Sequence, residues 1–249
     1  MRRFAQGLSS AFAGLRLALG NAEVRLAYIR VVAAILLFTM ILNAAALWLV
    51  WAPVLETTNE GLGWDLLLRI PLTLVVLLIS PFVALIATNL LFPLFNMALF
   101  MAGLRIVAPE RAVQLSSQPG IGLRASATCS LIRLLLFLAM AGLAFGMSLL
   151  PVVGWILGPV AQVYVSARAL SWELLDPYFD KLGYGYARQK VFIRRHRSPL
   201  LGFGLPYALV FAIPLLGPLI FGFAQASAAV LVTRAIEVDG LPHEMPRNA

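Results

Sequence analysis

The sequence predicts an all-α integral membrane protein: two long transmembrane helices plus two hemi-penetrating, re-entrant helical hairpins, preceded by an N-terminal amphipathic helix. Three observations predict this fold: the composition, the length of the charge-free runs, and the proline and glycine inside them. Of 249 residues, 61% are apolar and 12% charged, and mean hydropathy is +0.90, against roughly 25% charged residues in soluble domains. Charges are absent from Val31 to Leu55, Ile70 to Leu104, Leu134 to Ala167 and Ser198 to Thr233, whereas one span needs only about 20 apolar residues. Long apolar runs exclude an outer-membrane barrel, whose strands are segments of about ten residues with alternating polarity.

On this reading residues 1–240 form one membrane domain and 241–249 a disordered tail. Residues 1–30 form the amphipathic cytoplasmic region. Within it, Met1 to Gly20 places Phe4, Leu8, Phe12, Leu15 and Leu19 at helical spacing, with Arg2, Arg3 and Arg16 among the polar positions. That pattern is a basic helix lying in the membrane interface. Arg16 and Arg25 interrupt the early apolar stretch, so a cleavable signal peptide is not expected. Residues 31–54 are span 1, with Trp48 and Trp51 placed for an aromatic belt near its far end.

The remaining three runs each cover about 35 residues, or roughly 52 Å of helix at 1.5 Å per residue. They are too long for one crossing and short for two, which need about 40 residues plus a turn. Residues 70–104 carry Pro71, Pro81 and Pro93 without a central turn and read as span 2, one long kinked helix. Residues 134–167 carry Pro151-Val152-Val153-Gly154 at their midpoint, and residues 198–233 carry Pro214-Leu215-Leu216-Gly217-Pro218. Proline removes a helix hydrogen bond and glycine permits the turn. These two runs read as hairpins 1 and 2, with tips at Pro151, Gly154, Pro214 and Gly217, and as a weak internal repeat.

Charge placement agrees with hairpins. Residues 1–30 hold five Arg against one Glu, residues 105–133 four Arg against Glu110, and residues 168–197 seven basic residues against three acids. Hairpins return the chain to the side it left, so all three segments and both termini lie on the cytoplasmic side of an inner membrane, as the positive-inside rule requires. Six full spans would satisfy the rule equally.

The net charge of +8 has no soluble basic and aromatic domain to make it a nucleic-acid surface. Anionic lipids are the expected partner, since each juxtamembrane Arg or Lys is attracted to them by about 1 kcal/mol. Cys129 is the only cysteine, which excludes an intrachain disulfide or a cysteine-based metal site and reads as a small buried thiol. The two histidines, His196 and His243, lie among solvated charges, and no catalytic motif occurs. No enzyme activity, cofactor or metal is expected.

The polar residues inside the runs are Asn43, Asn89, Asn96, Gln162 and Gln225, with Ser80 and Thr88. They are either the lining of a solute path or interhelical hydrogen-bonding glue. With no charged residue inside a run, a pump coupled through an intramembrane carboxylate is disfavoured against a passive path. Two basic groups could hold an anion: Arg16, Arg25 and Arg30 before span 1, and Arg188, Lys190, Arg194, Arg195 and Arg197 before hairpin 2. Arg grips an oxyanion with a planar fork. The alternative for both groups is anchoring on lipid phosphates.

Several stretches, in order, resemble the family of CysZ-type sulfate permeases and eukaryotic etoposide-induced membrane proteins. They are Asn89-Leu90-Leu91-Phe92-Pro93-Leu94-Phe95-Asn96; Leu150-Pro151-Val152-Val153-Gly154 with Gly158-Pro159-Val160; Leu174-Leu175-Asp176-Pro177-Tyr178-Phe179-Asp180; Arg194-Arg195-His196-Arg197 leading to Gly202-Phe203-Gly204; and Ile213-Pro214-Leu215-Leu216-Gly217-Pro218. The resemblance implies an oligomeric inner-membrane protein with two spans and two hemi-penetrating hairpins, conducting sulfate in some members. The family's Pro-Gly-aliphatic-Arg-Arg stretch falls here on about Asn21-Ala22-Glu23-Val24-Arg25, where only Arg25 survives and Glu23 opposes an anion. Asp176 and Asp180 match an acidic loop with either a capping or a functional role. The first functional expectation is passive transport of a small anion, sulfate being the candidate, with Arg16 and Arg25 binding it, Asn89 and Asn96 lining the path, and a homo-oligomeric assembly. The second is a non-transporting membrane protein that binds lipid or partner proteins through its hairpins and basic face.

Overall fold

The computed structural model describes residues 2–56, 70, 71, 73, 74, 95–151, 153–213 and 216–237. Asn89, Pro214, His243, the tail 241–249 and most of the stretch 70–94 lie outside the described residues. No strand occurs among the described residues; the elements are α1 (Arg2–Gly20), α2 (Ala22–Glu56), α3 (Phe95–Val107), α4 (Pro109–Ser116), α5 (Leu123–Ser148), α6 (Gly154–Leu174), α7 (Asp176–Lys181), α8 (Tyr186–Arg195), α9 (Arg197–Phe211) and α10 (Leu216–Leu231), which ends in a π-helical turn (Val232–Ile236). Two of them contain segments long and apolar enough to cross a membrane, Ala22–Trp48 and Arg124–Ser148. The chain divides into two units, one of residues 1–27 with 96–249 and one of residues 28–95.

In the second unit, α2 presents large apolar side chains outward, with Leu36, Met40 and Trp48 64%, 71% and 65% exposed. Such a surface requires an apolar surrounding or partner. Its one central amide is held locally, the Asn43 side chain donating to the Thr39 carbonyl at 2.8 Å.

In the first unit, α1 packs on α9 and α10. Phe4, Phe12 and Leu19 stay exposed, and the buried face is the small-residue stripe Gly7, Ser10, Ala11, Gly14 and Ala18. Small residues three and four apart let helix backbones approach closely: a Cβ on Gly7 would collide with the Pro199 carbonyl. Tyr207 fastens the same contact, its hydroxyl donating to the Ala11 carbonyl at 3.1 Å and lying 2.6 Å from Ser227 Oγ.

Both long apolar runs of this unit fold as helix–turn–helix pairs. α5 stops at Ser148 and α6 begins at Gly154, with Pro151 in the turn between. Gly154 and Gly158 then press against Met147 and Ser148, so glycine is what lets α6 return along α5. α9 stops at Phe211 and α10 starts at Leu216, with Gly217 close against Phe211.

Much of the core is built from the basic segment 168–197 itself. Phe100 of α3, Tyr178 and Phe179 of α7, Phe192 of α8 and Phe203 of α9 are all fully buried. Phe179 meets Phe192 edge-on at 5.1 Å between ring centroids, a preferred aromatic geometry. The Asp176–Asp180 stretch therefore delivers two aromatic anchors to the core. His196 is half-buried rather than solvated: its ring lies 4.4 Å from that of Phe192, and Nδ1 is 3.0 Å from the Phe192 carbonyl. Burial pushes its pKa below the ordinary histidine value.

Candidate functional site

The candidate anion site begins where α1 hands over to α2. Gly20 ends α1, and the Asn21 side chain accepts the Glu23 backbone N–H at 2.8 Å, capping α2. Glu23, in the first turn of α2, complements the positive end of the helix dipole. A small core of Ala18, Val24, Ala102 and Ala226 ties the ends of α1 and α2 to α3 and α10, and Gly103 of α3 lies against Ala226 of α10.

Arg16, near the end of α1, and Arg25, near the start of α2, are both exposed. The structure adds to them a residue the sequence reading passed over. Arg105 of α3 reaches Glu23, Nη1 to Oε1 3.8 Å, with both side chains more than half exposed. Such a pair is weak, but it places a cation against the carboxylate that opposed an anion site. Residues two apart on a helix project about 200° apart at 100° per residue, so Glu23 and Arg25 face different sides of α2. No local signal could have revealed Arg105, because its partner lies 82 positions earlier in the sequence (105 − 23). Asn96, the other candidate inside the described residues, is 3% exposed at the start of α3. It is nine residues before Arg105, about 13 Å along the helix axis at 1.5 Å per residue.

A second concentration of charge is buried. Arg133 of α5 pairs with Asp176, lies 3.5 Å from Glu173, and donates to Gln189 Oε1 at 3.3 Å and Ser130 Oγ at 2.9 Å. Gln189 also accepts from the Trp172 indole at 2.8 Å and donates to the Tyr184 carbonyl at 2.9 Å. Asp176 thus has no capping role: the start of α7 has no side-chain cap, and the carboxylate is a counter-ion. Burial first, then the negative charge of Asp176, push the Asp180 carboxyl above its ordinary pKa. A third network joins α4, α7 and the π turn, with Glu237 accepting from Arg111 at 2.8 Å and from the Tyr178 hydroxyl at 2.7 Å.

Gln225 acts as glue, donating to the Leu174 carbonyl at 2.7 Å. Cys129 is buried and free. Among the described residues no group of three or more His, Cys, Asp or Glu could hold a metal ion.

The profile of the family described as sulfate transporter CysZ/etoposide-induced protein 2.4 matches residues 10–221, most of the chain. No individual curated protein matches it.

Proposed function

The chain belongs to the sulfate transporter CysZ/etoposide-induced protein 2.4 family, and from that membership we propose that it is a non-catalytic inner-membrane protein conducting a small oxyanion, sulfate being the candidate, by a passive route. The family match carries the reading. Arg16 and Arg25 attract the anion at the cytoplasmic corner, and Asn89 and Asn96 line the path in a homo-oligomer. The Arg105–Glu23 pair supports it, because it sets a cation against the carboxylate two residues before Arg25.

The membrane arrangement proposed is two spans and two re-entrant hairpins, with both termini cytoplasmic. The first arm belongs to α5, whose Arg124–Ser148 segment has spanning length, but the charge-free arms Gly154–Ala167, Ser198–Phe211 and Leu216–Leu231 have about 14–16 residues each, a rise of roughly 21–24 Å. That is short of a hydrocarbon core of about 30 Å. The first tip is also apolar all round, with Leu149, Trp155 and Ile156 72%, 82% and 71% exposed, as expected of a tip immersed in lipid.

Purified protein in liposomes should accumulate radiolabelled sulfate. At low ionic strength Arg25→Ala should lower the uptake by about fivefold, the worth of roughly 1 kcal/mol for an exposed charge, and Glu23→Gln should raise it. Uptake no greater than in protein-free liposomes would overturn the proposal.

A further inference from the structure

Away from the anion corner, two hollows in the first unit share walls. One, of about 490 Å³, is a cleft lined by Tyr164 and Arg168 of α6, Arg194 of α8, and Arg197 and Leu201 of α9. The other, of about 380 Å³, is an open groove whose lining includes Phe4 of α1, Val160, Val163 and Tyr164 of α6, and Leu201 and Leu205 of α9. Tyr164 and Leu201 belong to both, so an arginine-lined cleft adjoins an apolar groove.

Among the described residues no carboxylate pairs with the arginines of the cleft: none of the ion pairs involves Arg168, Arg194 or Arg197. Three guanidinium forks around one hollow suit a phosphate. The groove needs a second kind of ligand group. Val160 and Tyr164 are 62% and 48% exposed along it and belong to the charge-free run 134–167, so acyl chain is the matching cover for that wall.

We infer that cleft and groove together form a binding site for an anionic phospholipid, whose phosphate is held by Arg168, Arg194 and Arg197 and whose acyl chain lies between Phe4, Val163 and Leu205. Charge complementarity and the adjacency of the two hollows select this occupant over a protein segment. The site is independent of anion conduction. It also explains why α1 keeps Phe4 exposed while burying its small-residue face: Phe4 forms the outer wall of the acyl groove.

The test is native mass spectrometry of the full-length protein, delipidated in a neutral detergent and offered phosphatidylglycerol, phosphatidylcholine or inorganic phosphate. Phosphatidylglycerol should be retained over phosphatidylcholine. Arg168→Gln/Arg194→Gln/Arg197→Gln should lower that retention by at least about tenfold, as expected when three headgroup contacts are lost. The charge-matched Arg2→Gln/Arg124→Gln/Arg234→Gln should leave it unchanged. Val163→Trp, which fills the groove, should weaken phosphatidylglycerol without restoring any preference for inorganic phosphate. Equal losses in the two triple variants would overturn the site. Inorganic phosphate displacing the lipid while Val163→Trp has no effect would also overturn it, since the cleft would then serve a free oxyanion. If the cleft triple variant does not elute as a monodisperse species, Val163→Trp decides alone, and wild-type retention there overturns the proposal.

Discussion

Arg133→Met destabilises the protein by about 3–5 kcal/mol, the cost of removing one partner from a buried ion pair, and by more than Asp176→Asn does. The asymmetry follows from the charge count around the guanidinium. Arg133, with its side chain 6% exposed, faces two carboxylates: Asp176 at 13% and Glu173 at 38% exposure. Removing the cation leaves two like charges side by side and also strips Gln189 and Ser130 of a donor. Removing the Asp176 charge leaves Arg133 still paired with Glu173, which solvent reaches. Replacing the set together, Arg133→Met with Asp176→Leu and Glu173→Gln, should recover most of the loss, because a buried pair contributes little net stability against a well-packed apolar substitute. Thermal unfolding in detergent micelles, followed by the loss of the monodisperse species, gives the order. Equal midpoints for Arg133→Met and the wild type would mean the pair is solvated.

The pairing that this prediction uses was invisible in the sequence, and the reason is distance along the chain. Arg133 stands one residue before a charge-free run, so its position marks a boundary but not a partner 43 residues away. The same holds for Arg111 and Glu237, 126 residues apart. What could be read locally was the punctuation. Pro151 and Gly154 sit where α5 gives way to α6, because proline and glycine act on their own turn of helix. The periodicity of α1 was legible, but which of its faces would be buried was not. Its small residues recur with the same spacing as Phe4, Leu8, Phe12, Leu15 and Leu19, and in an apolar setting shape rather than hydrophobicity selects the packing face. Of the candidate anion site, Arg16 and Arg25 could be named from their place before span 1. The Asn21 cap and the approach of Arg105 to Glu23 needed the third dimension.

Gly204→Ala should lower stability by about 1–3 kcal/mol, the usual cost of overpacking a closed contact, whereas Gly142→Ala should raise it by roughly 0.5–1 kcal/mol, the helix preference of alanine over glycine. Both glycines lie inside helices, so helix propensity alone predicts the same sign for each. The neighbours differ. A Cβ at Gly204 of α9 would strike the Ala167 carbonyl and Ser171 Oγ of α6, while one at Gly142 of α5 meets nothing within 4 Å. The clash cannot relax by a rotamer change alone, since the carbonyl is backbone and Ser171 is itself committed, donating to Ala167 at 2.9 Å and lying 2.5 Å from the Leu200 carbonyl. The helices must separate. α6 and α9 belong to different helix–turn–helix pairs, and between them they carry Arg168 and Arg197. Separation at Gly204 therefore also spreads the two arginines, so Gly204→Ala should weaken phosphatidylglycerol retention in the same measurement that leaves Gly142→Ala at the wild-type level. A Gly204→Ala variant as stable as the wild type would show that α6 and α9 are not in the close contact on which both effects depend.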